Sequence, residues 1–172
     1  MLFRSLLGPR VALLPFSRWP SKDWPLASFA RVGRELQEHL NATIYILSGA
    51  LEQHPAAELK KELGGRVINL TGKTTLTHLA GLLREMDLVI ANDSGAMHLA
   101  AAMGAPVFAL YGPTDPVRTG PCGARCRVLR GKLRCQPCFA ERCRFRDNSC
   151  MLTITPEAVI NAALEMTAII RS

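Results

Sequence analysis

A chain of 172 residues, 48% hydrophobic and 20% charged, is long enough to bury one sizeable core and has none of the skew of a disordered or fibrous chain. No window reads as a membrane span: the longest apolar region, residues 95–110, is interrupted by His98, Gly104 and Pro106 and suits a core helix followed by a strand. The net charge of +7 is uneven, with nine Lys or Arg and one acid, Glu141, between Arg118 and Arg146. Such a patch suits an anionic partner (a phosphorylated substrate, a membrane surface or nucleic acid) or is simply a solvated basic loop.

The N-terminal stretch MLFRSLLGPRVALLPF has a short apolar run broken by Gly8-Pro9-Arg10 and no small-residue cleavage site. Residues 1–10 are expected to be a lead-in, and the lack of a signal points to the cytoplasm, where the six cysteines stay reduced. Val11–Leu14 is a strand candidate, and residues 15–25 (PFSRWPSKDWP) form a loop. Leu26–Leu40 places Leu26, Phe29, Ala30, Gly33, Leu36 and Leu40 on one helical face. Thr43–Leu47 is a β-branched strand closed by Ser48-Gly49, and Pro55–Leu63 a helix stopped by Gly64-Gly65. Arg66–Leu70 is strand-like, and Thr74 or Thr75 caps a helix with Leu76, Leu79, Ala80 and Leu83 on its apolar face. Leu88–Ala91 is an apolar strand broken by Asn92-Asp93-Ser94-Gly95, Ala96–Met103 a helix ended by Gly104, and Pro106–Leu110 a further strand. Residues 112–153 show no helical or strand period, and Thr155-Pro156-Glu157 opens a final helix with proline at its favoured first position.

This alternation predicts an α/β domain spanning residues 1–172, a Rossmann-like parallel sheet with helices on both faces and a long Cys/Arg-rich loop before the last helix. Ligands of such sheets bind beyond the carboxyl ends of the strands. There the helix opened by Asp93, Ser94 and Gly95 offers free N–H groups and a positive dipole end to an anion. His98, one turn on, leans back toward the same spot, where a diphosphate or a sugar hydroxyl would sit. The plainer alternative makes Asp93 and Ser94 helix caps and His98 a surface histidine. Lys22 follows the first strand at the same edge and suits a phosphate as a point charge. Glu52, just after the Ser48-Gly49 turn, suits a ribose diol.

Thr71-Gly72-Lys73-Thr74 is no phosphate-wrapping loop, because the glycine required five positions before Gly72 is Val67. Cys135, Cys138, Cys143 and Cys150 have the spacing C-x2-C-x4-C-x6-C, which could hold zinc tetrahedrally or supply reduced structural thiols. No Ser/His/Asp order and no paired-carboxylate signature stands out.

Together these residues resemble the C-terminal half of glycosyltransferase family 9, the ADP-heptose:lipopolysaccharide heptosyltransferases. The matching stretches are RWPSKDWP (18–25), NLTGKTTL (69–76), NDSGAMHLAAAMGAPVFALYGPTDP (92–116), TGPCG (119–123), CQPC…C…CM (135–151) and ITPEAV (154–159). The resemblance implies a GT-B architecture of two Rossmann-like domains, of which this would be the C-terminal, donor-binding one. Lys22 and the Ser94-Gly95 helix start would hold the diphosphate, assisted by His98. Asp93 would face the sugar or order the loop, Glu52 would accept the ribose hydroxyls, Thr74 would lie near the adenine and Ser17 near the phosphates.

The implied reaction is inverting transfer of heptose from an ADP-sugar to a lipopolysaccharide-core acceptor, with no obligatory metal. Its general base would be an aspartate of an N-terminal acceptor domain that these residues do not include, so no catalytic residue is assigned within them. The chain is therefore expected to be a fragment, a truncated frame or half of a split enzyme. It would be cytoplasmic, at the inner face of the inner membrane, with membrane-surface contact and without a nucleic-acid partner. An alternative of another class is a zinc-knuckle-like module that uses the 118–146 patch on RNA or anionic lipid.

Overall fold

The computed structural model describes residues 8–171. Most of the expected lead-in, residues 1–7, lies outside them, and its last residue, Arg10, already belongs to a strand. Six strands, β1 (Arg10–Leu14), β2 (Thr43–Ile46), β3 (Val67–Asn69), β4 (Leu88–Asn92), β5 (Val107–Tyr111) and β6 (Cys126–Arg130), form one sheet in the order β3-β2-β1-β4-β5-β6. Every pairing is parallel, with Val11 beside Ile44 on one flank and beside Leu88 on the other.

The central strands are apolar over residues 11–14, 88–91 and 107–110 because both faces of the sheet are covered there. Side chains alternate across a strand. Val11, Leu13, Leu88, Ile90, Phe108 and Leu110 join one core, while Ala12, Leu14, Val89, Ala91, Val107 and Ala109 join the other. Helices α1 (Leu26–Leu40), α2 (Gln53–Leu63) and α7 (Pro156–Arg171) close the first core through Phe29, Leu36, Leu59 and Val159. Helices α3 (Leu76–Arg84) and α4 (Gly95–Ala102) close the second through Leu83, Met97 and Ala100. α1 ends at Asn41, whose left-handed conformation (φ 55°) terminates it and whose N–H returns to the Leu36 carbonyl. Thr75 caps α3, accepting from the His78 N–H, which leaves Thr74 uncommitted to the cap.

Residues 112–153, expected to be irregular, contain β6 and two single-turn helices, α5 (Pro116–Thr119) and α6 (Ser149–Leu152). β6 pairs with β5 over five residues although its sequence, CRVLR, shows little apolar pattern. It is an edge strand with Arg127 and Val128 exposed, so the β5 backbone fixes it more than any buried stripe does. Residues 131–148 remain irregular. Among the described residues no helix is long and apolar enough to cross a membrane.

Candidate functional site

The strand order reverses between β1 and β4, and the crevice there is where open α/β sheets bind ligands. Two loops enter it, residues 15–25 after β1 and residues 93–95 after β4. The first is pinned by Trp24, which is 1% exposed, packs edge-to-face on Phe29 at 5.1 Å and donates from Nε1 to the Ile154 carbonyl at 2.9 Å. Asn92, at the end of β4, ties the two loops: its Nδ2 donates to the Pro15 carbonyl at 2.7 Å and its Oδ1 accepts from the Trp24 N–H at 3.3 Å.

Lys22, on a 3-10 turn at Pro20–Lys22, reaches across to Asp93, Nζ to Oδ2 2.7 Å, and lies 4.5 Å from the Trp19 ring centroid. The buried Asp93 carboxylate also accepts from Thr114 Oγ1 at 2.7 Å, and His98 Nε2 stands 4.0 Å from its other oxygen. A buried charge persists only when it is paired and hydrogen-bonded, which this one is. Asp93 therefore orders the site rather than standing free, while the ammonium of Lys22, with three donors, retains capacity for a ligand. Ser94 caps α4, its Oγ accepting from the Met97 N–H at 3.3 Å, and it lines the cleft as well.

Two clefts meet at the start of α4. One, of about 330 Å³, is walled by Trp19, Lys22, Asp93, Gly95, His98 and Thr114, with Thr119 and Phe139 beyond. The other, of about 640 Å³, is walled by Ser17, Glu52, Thr74, Leu51, Leu76 and Leu79. Arg18 and Ser94 border both. The eight expected site residues therefore divide in two. Lys22, Asp93, Gly95 and His98 are in the smaller cleft, Ser17, Glu52 and Thr74 in the larger, and Ser94 sits at the junction.

Glu52 opens α2 just after the β2 turn, and its carboxylate accepts from Ser48 Oγ at 3.1 Å. Ser17 faces inward to its own loop: its N–H donates to Asp23 Oδ1 at 2.9 Å, and its Oγ lies 2.9 Å from that oxygen and 2.7 Å from the Trp19 carbonyl. Burial pushes the Asp23 carboxyl up to about 6, against the lowering effect of the Ser17 hydrogen bonds. The Tyr111 phenol, held by the Thr119 carbonyl, is raised above its ordinary value by burial first and by the Asp93 charge second.

Sequence reasoning missed Asp23, Asn92, Arg18, Thr114 and Phe139. Their signal was faint: single polar or aromatic residues in loops or, for Asn92, at a strand end, assembled only by the fold. Arg18 stands four residues before Lys22, and Thr114 lies within the Gly-Pro-Thr-Asp-Pro loop.

The Cys-rich segment is stitched onto the loop after β1 and onto the loop after β5. Ser21 donates from its N–H to the Glu141 carbonyl at 3.3 Å and from Oγ to the Ala140 carbonyl at 2.6 Å. Asn148 Nδ2 donates to the Pro20 carbonyl at 2.6 Å. The N–H groups of Cys138 and Phe139 both donate to the Pro113 carbonyl, at 3.0 and 2.9 Å. The segment is thus part of the main domain and forms no separate knuckle module. Cys135, Cys138, Cys143 and Cys150 all line one small cavity of about 200 Å³. Among the described residues, however, no group of three or more His, Cys, Asp or Glu is set to hold a metal ion. Burial pushes the Cys150 thiol above its ordinary value.

The chain is similar to known proteins over most of its length. The family model for glycosyltransferase family 9 (heptosyltransferase) matches residues 4–148. The chain is 33% identical over 147 residues to lipooligosaccharide heptosyltransferase 2 of Campylobacter jejuni, which covers 83% of this chain and 46% of that one. Among solved structures, the family 9 glycosyl transferase from Veillonella parvula superposes with a TM-score of 0.80 at 26% identity, over 94% of this chain and 46% of that one. ADP-heptose lps heptosyltransferase II of Escherichia coli shares the fold, with a TM-score of 0.81 at 24% identity over 96% of this chain and 48% of that one. The chain spans less than half the length of these relatives. With a parallel sheet in this order, paired clefts at its switch point and a family match across most of its residues, the chain belongs to glycosyltransferase family 9.

Proposed function

We propose that this chain is the donor-binding half of an inverting glycosyltransferase that moves a heptose, or a similar sugar, from an ADP-sugar to a lipopolysaccharide-core acceptor. The observation that carries the reading is the meeting of two clefts at one helix N-terminus. An acid-bearing cleft suited to a nucleoside and a hydroxyl-lined cleft suited to a sugar join where Arg18, Lys22 and the α4 N–H groups supply positive charge. A diphosphate belongs between a nucleoside and a sugar.

In this reading Glu52 accepts the ribose hydroxyls, Thr74 faces the base, and Ser17, through Asp23, shapes the loop beside the phosphates. Asp93 holds Lys22 against the diphosphate, and His98 hydrogen-bonds on the sugar side. An acceptor hydroxyl oxygen attacks the anomeric carbon, that carbon's bond to the diphosphate oxygen breaks, and ADP departs with the electron pair. The developing charge on the leaving oxygen is met by Lys22 and by the N–H groups at Gly95 and Ala96, fixed in place before the reaction. These groups come from the chain itself, so donor binding does not call for a metal. In this reading the acceptor site and the general base would be supplied from outside these residues. The basic stretch from Arg118 to Arg146, with Phe145 55% exposed within it, suits a peripheral position on an anionic cytoplasmic membrane face.

The test is calorimetric titration of ADP, GDP and UDP into the purified chain and into Lys22→Ala. ADP-selective binding, weakened by about 1–3 kcal/mol in the variant as expected for a lost charged contact, supports the reading. A folded chain that binds no nucleotide overturns it. Robust sugar transfer by these residues alone would overturn the division of labour between two halves. Zinc at Cys135, Cys138, Cys143 and Cys150 is a separate, finer proposal. One equivalent per purified chain, lost in Cys138→Ser, supports it, and a metal-free protein after reconstitution with zinc ends it.

A further inference from the structure

We infer that Phe139, braced by Arg118, is the residue that selects the donor's sugar, so that the Cys-rich segment contributes a specificity wall to the smaller cleft. The inference rests on the donor-site reading above and adds a residue that neither the motifs nor the expected site contained.

Phe139 is a large apolar side chain that belongs to neither core and stays 39% exposed. An isolated exposed aromatic needs no explanation by itself. This one lines the cleft that holds Lys22, His98 and Thr114, and its backbone is held in the left-handed region at φ 50°. A bulky side chain is a true outlier there, and such conformations persist only where the surroundings over-determine them. The surroundings here are specific. The N–H groups of Cys138 and Phe139 converge on the Pro113 carbonyl, one residue before Thr114, which itself donates to Asp93. The ring is thereby registered to the same loop that orders the Lys22–Asp93 pair. Arg118, on α5, stands 5.2 Å from the ring centroid and fixes the ring as a cation over its face.

The chemistry of the cleft fits a sugar. An aromatic face carries negative charge density, and the C–H face of a pyranose is apolar and weakly positive, so the two stack. The hydroxyls of Thr114 and Thr119 and the His98 imidazole border the same space and suit the hydroxylated ring edge. At about 330 Å³ the cleft falls within the range of small-molecule sites, roughly 300–1,000 Å³. The nucleoside cleft, with Glu52 and Thr74, does not include Phe139, so the ring should sense what the diphosphate carries and not the nucleotide itself.

The experiment compares dissociation constants for ADP and ADP-heptose in the wild type, Phe139→Ala, Phe139→Asn and Phe139→Tyr. Asparagine adopts the left-handed backbone readily, so Phe139→Asn removes the ring while keeping the loop, and thermal melts check each fold. In both ring-deleted variants, ADP affinity should stay within two-fold of wild type while ADP-heptose affinity falls about five- to twenty-fold. Phe139→Tyr should retain both. Equal loss for ADP and ADP-heptose, or no loss for either, overturns the inference while leaving the donor site standing. No ADP binding by the wild type overturns the donor-site reading, and this inference with it.

Discussion

The Lys22–Asp93 pair gives the sharpest test, because it should be structural and ligand-binding at once and the two roles separate. Nζ and Oδ2 are 2.7 Å apart, and the side chains are only 16% and 5% exposed. Removing one member of a buried pair costs about 3–5 kcal/mol, because the other charge is left without its counterion. Two features of this site reduce that figure. Asp93 keeps the Thr114 hydroxyl at 2.7 Å, and the lysine head is partly wet. Lys22→Met should therefore lower the unfolding free energy by about 2–3 kcal/mol.

Asp93→Asn removes the orphaned charge and still accepts from Thr114. The double variant should therefore recover most of the loss, ending within about 1 kcal/mol of wild type with a coupling of about 1.5–2.5 kcal/mol. Urea denaturation at pH 7, with unchanged m-values as the control for the denatured state, measures all four corners of the cycle. ADP titration should not follow the stability pattern, since affinity is lost in Lys22→Met and stays lost in the double variant. A Lys22→Met cost below about 0.5 kcal/mol, or strict additivity in the cycle, would refute burial as the reason for the pairing.

Asp23 makes a pH-dependent contribution. Its carboxyl titrates near 6 in the folded chain against 3.8 unfolded, so between those values the folded state holds a proton that the unfolded state has released. Stability from this group is fully present below pH 3.8 and is lost as pH rises through 6. After screening at the partly exposed carboxyl, the change should be about 1–2 kcal/mol. The wild-type-minus-Asp23→Asn difference in unfolding free energy should fall by that amount between pH 4 and 7, and a flat difference contradicts the assignment. Glu52→Gln should weaken ADP by about 1–2 kcal/mol. The effect should vanish with 2′,3′-dideoxy-ADP, and an equal loss for both nucleotides would remove Glu52 from the ribose. Gly131→Ala would bring a Cβ within 1.9 Å of the Cys150 carbonyl oxygen, a backbone atom that cannot turn aside. It should cost about 2–3 kcal/mol in a denaturation experiment, and a neutral result would show that α6 can shift off the sheet edge.

The sequence by itself determined the architecture and the placement of several residues that line the two clefts. Consecutive apolar residues in β1, β4 and β5 require a sheet buried on both faces, and the amphipathic period of Leu26–Leu40 returns as α1 with the same bounds. Asp93, Ser94 and His98 were legible because a cap, a glycine and a one-turn spacing are local facts about the start of a helix. Lys22 and Glu52 were legible because parallel strands send the carboxyl ends of β1 and β2 to the same edge as that of β4.

What lay beyond local spacing needed the tertiary structure. β6 was hidden because an edge strand takes its hydrogen bonds from its neighbour and needs no buried stripe of its own. That Asp93 orders Lys22 depends on a carboxylate and an ammonium separated by 71 residues in sequence meeting at 2.7 Å, with Thr114 as a third partner. The place of the Cys-rich segment depends on backbone carbonyls at Pro20, Pro113, Ala140 and Glu141, which every residue type possesses and no motif can mark. Side-chain patterns encode burial and local caps, whereas long-range contacts through backbone groups and single loop residues exist only once the sheet has set the loops side by side.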